Sequence, residues 1–218
     1  MTRSPQISFL SRETAELHRH IESLPIMSQL LDKDLTKTAL VRALEALLLA
    51  HSPLDNTLRD ILPRILPTYR TPPRAPLLIS ALRDLGQSSF NEGSLQFPPS
   101  ASLPETLGVL YVLEGSTLGG LMIAKRLEQS LLSLSPQVLS FFLIGNMTPS
   151  PWENFLQHIP ASPSSQEFLE EMRRGATRTF QHFLTAFSSS IAKQRFRTVP
   201  AGFHQDFEMD SLTKTLSP

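Results

Sequence analysis

The sequence predicts an all-α protein, a globular bundle of irregular helices, on three observations. Apolar residues recur at intervals of three and four, the period of a helix face. The eighteen prolines fall between such segments rather than within them. No series of alternating apolar and polar residues marks a β-strand. At 218 residues the chain is long enough for a sizeable core. The expected division is one helical domain over residues 1–195 and a polar, poorly ordered tail over 196–218.

From Ile7 to Leu24, Ile7, Leu10, Leu17 and Ile21 trace one helix face, with Thr14 filling the gap. Pro25 closes that helix, because the residue before a proline avoids the helical region. Residues 35–50, "LTKTALVRALEALLLA", read as a second apolar helix, after which Ser52-Pro53 restarts the chain. A shorter helix over about 54–66, bounded by Pro67, and another near 75–85 follow. Residues 86–104 are loop by their Ser, Gly and Pro content. A glycine-bearing helix runs from about Glu105 to Leu132. A short helix spans about 151–159, and a long final one starts on a Ser164 or Ser165 cap.

Composition narrows the functional classes. Lys plus Arg and Asp plus Glu number 20 each, so a general nucleic-acid binder, which needs a basic excess, is not expected. The chain has no cysteine, which excludes disulfide scaffolds and thiolate metal sites and suits a reducing cytoplasm. The N-terminus lacks the apolar core of a signal peptide. No apolar run approaches the ~18 residues of a membrane span.

The stretch Tyr111–Leu127, "YVLEGSTLGGLMIAKRL", holds three of the nine glycines, Gly115, Gly119 and Gly120. Each costs about 1 kcal/mol against alanine inside a helix, so their presence needs a reason. Gly115 and Gly119 share a face, with Gly108 close to it, and together they form a groove free of side chains. Either another helix packs there closely or a flat ligand does. Phosphate binding is excluded, since Gly120 is followed by "LMIAK" and not by the Lys-Ser/Thr pair of a phosphate loop. No strand precedes the glycines, as a dinucleotide fingerprint would need.

Of the six histidines, His18 lies at the border of the first helix's apolar stripe, in line with Thr14 and Glu22, whereas His20 points to solvent. A histidine there is either a hydrogen-bonded structural residue or a metal ligand whose second nitrogen is oriented by a neighbour. With the glycine groove it suggests haem, which needs an axial ligand on one face and room for a gas on the other.

Three motifs resemble the haem oxygenase family. "TAELHRHIE" is similar to its proximal pattern, Thr-x-x-x-His-x-x-x-Glu, through Thr14, His18 and Glu22. "YVLEGSTLGG" resembles its distal helix, notably in bacterial members linked to bacteriophytochromes. "GATRTF" resembles its last core helix, with Phe180 as the aromatic near the haem. Order and spacing agree over about residues 7–190.

The resemblance implies haem held between a proximal helix carrying His18 and a kinked distal helix carrying Tyr111, Gly115, Gly119 and Gly120. It also implies cleavage of haem, with O2 and electrons from a reductase, ferredoxin or other reductant, to biliverdin, CO and ferrous iron. An electron-donor protein and a biliverdin-accepting phytochrome are the implied partners. His18 would be the neutral proximal ligand, and Gly115 and Gly119 would admit the gas.

The sequence departs from the family at three places. Ser116 stands where many members carry an aspartate that organises catalytic water. Ser11, with Arg12 adjacent, stands where some have a base for a haem propionate. "WENFLQHI" lacks the basic residues that others use for the second propionate; Arg174 and Arg178 are the available substitutes. Two alternatives follow: a haem-binding or haem-sensing protein without turnover, and a carboxylate di-iron enzyme. The latter needs Glu and His from several helices, whereas Glu45 and Glu114 stand isolated on apolar segments.

Overall fold

The computed structural model describes residues 4–90, 95–100, 102–130, 132–161 and 165–197, and among these every regular element is helical. α1 (Pro5–Glu13) starts on Ser4, whose Oγ accepts the Ile7 N–H at 3.3 Å, with Pro5 in the first turn. The single helix expected over 7–24 is divided at Thr14, and α2 (Ala15–Ser23) follows it. Thr14 Oγ1 donates to the Leu10 carbonyl at 2.8 Å, a back-bond of the kind that bends helices. Leu24 is extended before Pro25, which opens the short α3 (Pro25–Ser28) and a 3₁₀ turn at Gln29–Leu31.

α4 (Lys37–Ile65) corrects the expectation that proline ends the second helix, because it runs through both Pro53 and Pro63. Everything from Ala46 to Leu54 is buried, so packing overrides the local breaker. The neighbouring helix also serves the disturbed turn: His182 Nε2 lies 2.8 Å from the Ala50 carbonyl. α5 (Ala75–Asp84) folds back on α4, and no helix occurs in 86–90 or 95–100.

The centre is the pair α6 (Leu103–Glu128) and α9 (Gln166–Arg197). Ser102 Oγ caps α6 by accepting the Glu105 N–H, and Ser165 Oγ accepts from Phe168 at the start of α9. Ser164 and the expected tail from 198 onward lie outside the described residues. α1, α2 and α4 rest on α9. α7 (Pro136–Leu139) packs on α5, while the 3₁₀ segment Phe142–Asn146 and α8 (Pro151–Gln157) pack on α6.

Two glycines set the central crossing. A Cβ on Gly108 would collide with the Met172 carbonyl oxygen and lie 2.9 Å from the Ala176 nitrogen. A Cβ on Gly175 would collide with the Glu105 carbonyl oxygen and lie 3.2 Å from the Val109 nitrogen. Gly108 is therefore a packing residue and not part of an open groove. Gly108→Ala must push the backbones apart and is expected to destabilise the fold by about 1–3 kcal/mol or more. The readout is the thermal midpoint by circular dichroism; an unchanged midpoint would show slack at this crossing.

α6 is long and apolar enough to cross a membrane by length and composition, which run length alone did not reveal. Its window is 56% buried inside the bundle, as for a core helix.

Candidate functional site

Histidine positions narrow the choice of ligand. His51 is buried between the rings of Phe141 and Phe183, and burial, with Arg74 and His182 adding to it, pushes its pKa well down. Burial also lowers His182, which is bonded to Ala50. His158 Nδ1 lies 2.8 Å from the Asn154 carbonyl. His204 is outside the described residues. His18 and His20 remain, both exposed on α2.

α2 has no fully buried residue; Leu17 and Ile21 are only half-buried. His18 is more open than the border position expected of it, with 59% of its side chain exposed. Its Nδ1 lies 3.4 Å from a Glu22 carboxylate oxygen, and among the described residues no hydrogen bond engages Nε2. Its ring meets that of Phe180 edge-on, with centroids 6.0 Å apart. Phe180 itself is buried in α9. His20 makes no such contact.

The other three glycines of α6 have separate surroundings. A Cβ on Gly115 would sit 3.5 Å from the Trp152 ring of α8, which also meets Tyr111 edge-on. A Cβ on Gly120 would sit 3.1 Å from the Phe142 carbonyl, so this glycine serves packing against the 3₁₀ segment. At Gly119 there is nothing within 4 Å. Leu118 and Met122, on the same side of the helix, are 48% and 68% exposed. The result is an apolar strip on a core helix, bordered by Trp152 at Tyr111 and Gly115 and left uncovered at Leu118, Gly119 and Met122. α2 and α6 both rest on α9, and α6 is not among the extensive packing partners of α2. His18 Nε2 and the bare surface at Gly119 are the two features that a flat apolar ligand with a metal at its centre would need.

Ser116 is exposed, and its Oγ donates to the Leu113 carbonyl at 2.7 Å. Arg178 is already engaged by other side chains. It pairs with Glu105 at 3.0 Å, donates to Ser100 at 3.0 Å and lies over the Phe97 ring, so a propionate would have to displace these partners. Arg174 pairs on the surface with Glu171, and Arg12 with Glu13.

Glu114, read as isolated, is instead the centre of a buried network. Its carboxylate accepts from Tyr69 Oη at 2.8 Å, Thr71 Oγ1 at 2.7 Å and Arg74 Nη2 at 2.6 Å. Burial and then the Glu114 charge push the Tyr69 pKa up, so the phenol stays a donor. Sequence reasoning missed Trp152, Leu118, Met122 and this network. The one available signal was a glutamate inside an apolar helix, which requires a partner somewhere. Among the described residues no group of three or more His, Asp or Glu could hold a metal, which removes the di-iron alternative there.

The Heme oxygenase family model matches residues 95–189, a span that includes the α6 strip and Phe180 but not His18. A heme oxygenase of Xanthomonas campestris pv. campestris (strain 8004) is 32% identical over 116 residues, which cover 53% of this chain and 68% of that protein. The solved structure of heme oxygenase from Leptospira interrogans aligns with a TM-score of 0.62 at 17% identity, over 84% of this chain and 98% of that one. At that identity the structural likeness speaks to the fold.

Proposed function

The chain belongs to the haem oxygenase family of haem-degrading oxidoreductases, and on that premise we propose that it cleaves haem to biliverdin, CO and ferrous iron, with His18 as proximal ligand and the Gly115–Gly119 strip over the opposite face. The observation that carries this reading is the bare strip at Gly119, an opening with no neighbour on a helix otherwise packed into the core.

When bound, haem supplies the hard chemistry, since its iron activates O2 and its own ring is the substrate. The chain supplies placement. The Glu22 carboxylate, 3.4 Å from His18 Nδ1, would favour the proton on that nitrogen and so leave Nε2 as the neutral donor atom. Phe180 holds the imidazole ring edge-on. Leu118 and Met122 would cover apolar ring surface, and Gly119 would keep a side chain out of the gas site. Ser116 already donates its hydroxyl hydrogen to Leu113, which leaves its lone pairs to accept from a water when one is bound. Electrons come from a reductase, ferredoxin or other reductant. The likeness of "YVLEGSTLGG" to members linked to bacteriophytochromes supports a phytochrome as acceptor of the product.

A second reading, haem holding without cleavage, draws on the same hydroxyl: Ser116 has no carboxylate charge and its hydrogen is committed to Leu113. Purified protein given haem, then ascorbate, separates the two by loss of the Soret band and rise of biliverdin. Ser116→Ala should still bind haem but turn it over ~10-fold more slowly, the equivalent of one hydrogen bond. Ser116→Asp should match or exceed wild type. Equal turnover in wild type and Ser116→Ala would remove Ser116 from proton delivery. If only Ser116→Asp degrades haem, the holding reading replaces the first.

A further inference from the structure

We infer that the buried Arg74–Glu114 pair is a positioning device that fixes the rotation of α6 about its own axis and so decides which residues face the ligand strip. The inference rests on the reading of that strip as the haem face. Both side chains are essentially inaccessible, at 1% and 0% exposure, and their charged atoms are 2.6 Å apart.

α6 needs such a device because apolar residues occur on every side of it. Leu107, Leu110 and Leu113 are buried, whereas Leu118 and Met122 are exposed. A helix apolar all round gains little preference for one rotation from burial alone. The Gly108–Gly175 crossing holds the first part of the helix. From Gly115 onward the side that carries Gly120 packs on the 3₁₀ segment, whereas Gly119 meets nothing and offers no side chain to interlock. The carboxylate of Glu114 stands at that boundary, beside Gly115, and its three donors are satisfied in one orientation only.

The clamp is itself anchored. The backbone N–H groups of Arg74 and Ala75 both donate to Asp55 Oδ2 of α4 at 2.7 Å. Arg74 Nη1 donates to Thr71 Oγ1 at 2.9 Å and to the Pro72 carbonyl at 3.1 Å. Arg74 Nη2 also reaches the Leu113 carbonyl at 3.3 Å, the same oxygen that accepts the Ser116 hydroxyl. Arg74 therefore shares an acceptor with the Ser116 hydroxyl while its ion pair holds Glu114. Replacing a buried ion pair by apolar residues of similar volume often leaves a fold intact, which lets a role in orientation be separated from one in stability.

The chain has no cysteine, so single thiols report on each face of α6. Met122 is 68% exposed and Ala124 1% exposed, on opposite sides of the helix. Met122→Cys and Ala124→Cys would each be labelled with an aromatic disulfide reagent in the haem-free chain, with and without Arg74→Met/Glu114→Leu. Ala186→Cys, on the buried side of α9, corrects for global opening. If the pair sets rotation, the double variant slows the thiol at 122 and speeds that at 124, narrowing their ratio by ~10-fold or more. A purely stabilising role would speed 124 and 186 together and leave 122 unchanged, which would overturn the inference. Should the double variant fail to fold by circular dichroism, Glu114→Gln in the same two thiol backgrounds decides, and an unchanged ratio there overturns it. Adding haem to Met122→Cys with the native pair tests the underlying reading separately: no protection of that thiol would refute the haem face and leave the rotation result standing.

Discussion

His18→Ala is expected to abolish the histidine-ligated ferric haem spectrum, while His20→Ala leaves it nearly intact. Both residues are exposed on α2, a helix with nothing fully buried, so each substitution should change the stability of the haem-free chain by no more than about 0.5 kcal/mol. Loss of the spectrum would therefore report on ligation and not on folding. The two histidines differ in their surroundings: His18 has Glu22 at Nδ1 and Phe180 against its ring, and His20 has neither. Glu22→Gln removes the charge that orients the imidazole and should weaken haem binding by ~10-fold, the lower end for a partner of a metal ligand, since Glu22 is itself 65% exposed. A Soret band in His18→Ala indistinguishable from wild type would sink the assignment.

The parts of this molecule that were legible in the sequence are those decided within one helix. The period of α2, the Ser165 cap and the apolar run of α6 are local features, and the observed helices follow them to within a few residues. The parts that were not legible depend on a second segment. Pro53 reads as a breaker until the burial of its whole turn and the reach of His182 to Ala50 are known. Gly108 shares a face with Gly115 and Gly119 on any wheel, but only α9 shows that the first is filled. Glu114 looks solitary because Tyr69, Thr71 and Arg74 lie about 40 residues away in the chain. Arg178 looks available for a propionate because Glu105, its actual partner, belongs to another helix. The exposure of His18 beyond its expected border position has the same origin: α2 rests on α9 and leaves its remaining face open.

Gly119 separates access from packing most sharply, because its substitution is expected to move stability and function in opposite directions. A Cβ there meets nothing, so the haem-free chain accepts a side chain without strain. Gly119→Ala should stabilise that chain by about 0.4–1 kcal/mol, since alanine leaves fewer unfolded conformations to lose and is the better helix former. For a chain of this size that is a rise of roughly 1–4 °C in thermal midpoint. Gly119→Leu should likewise leave helicity intact. In the haem-loaded protein the leucine would fill the space left bare beside Leu118 and Met122, the side proposed above for O2 or CO. CO affinity and haem turnover should then both fall, by ~100-fold or more if about 3 kcal/mol of steric conflict must be relieved. Gly108→Ala is the contrasting control, because it destabilises the bundle before any ligand is considered. Full turnover and normal CO binding in a well-folded Gly119→Leu protein would show that the bare strip is not the gas-binding face, since no packing role exists at Gly119 to explain the glycine instead.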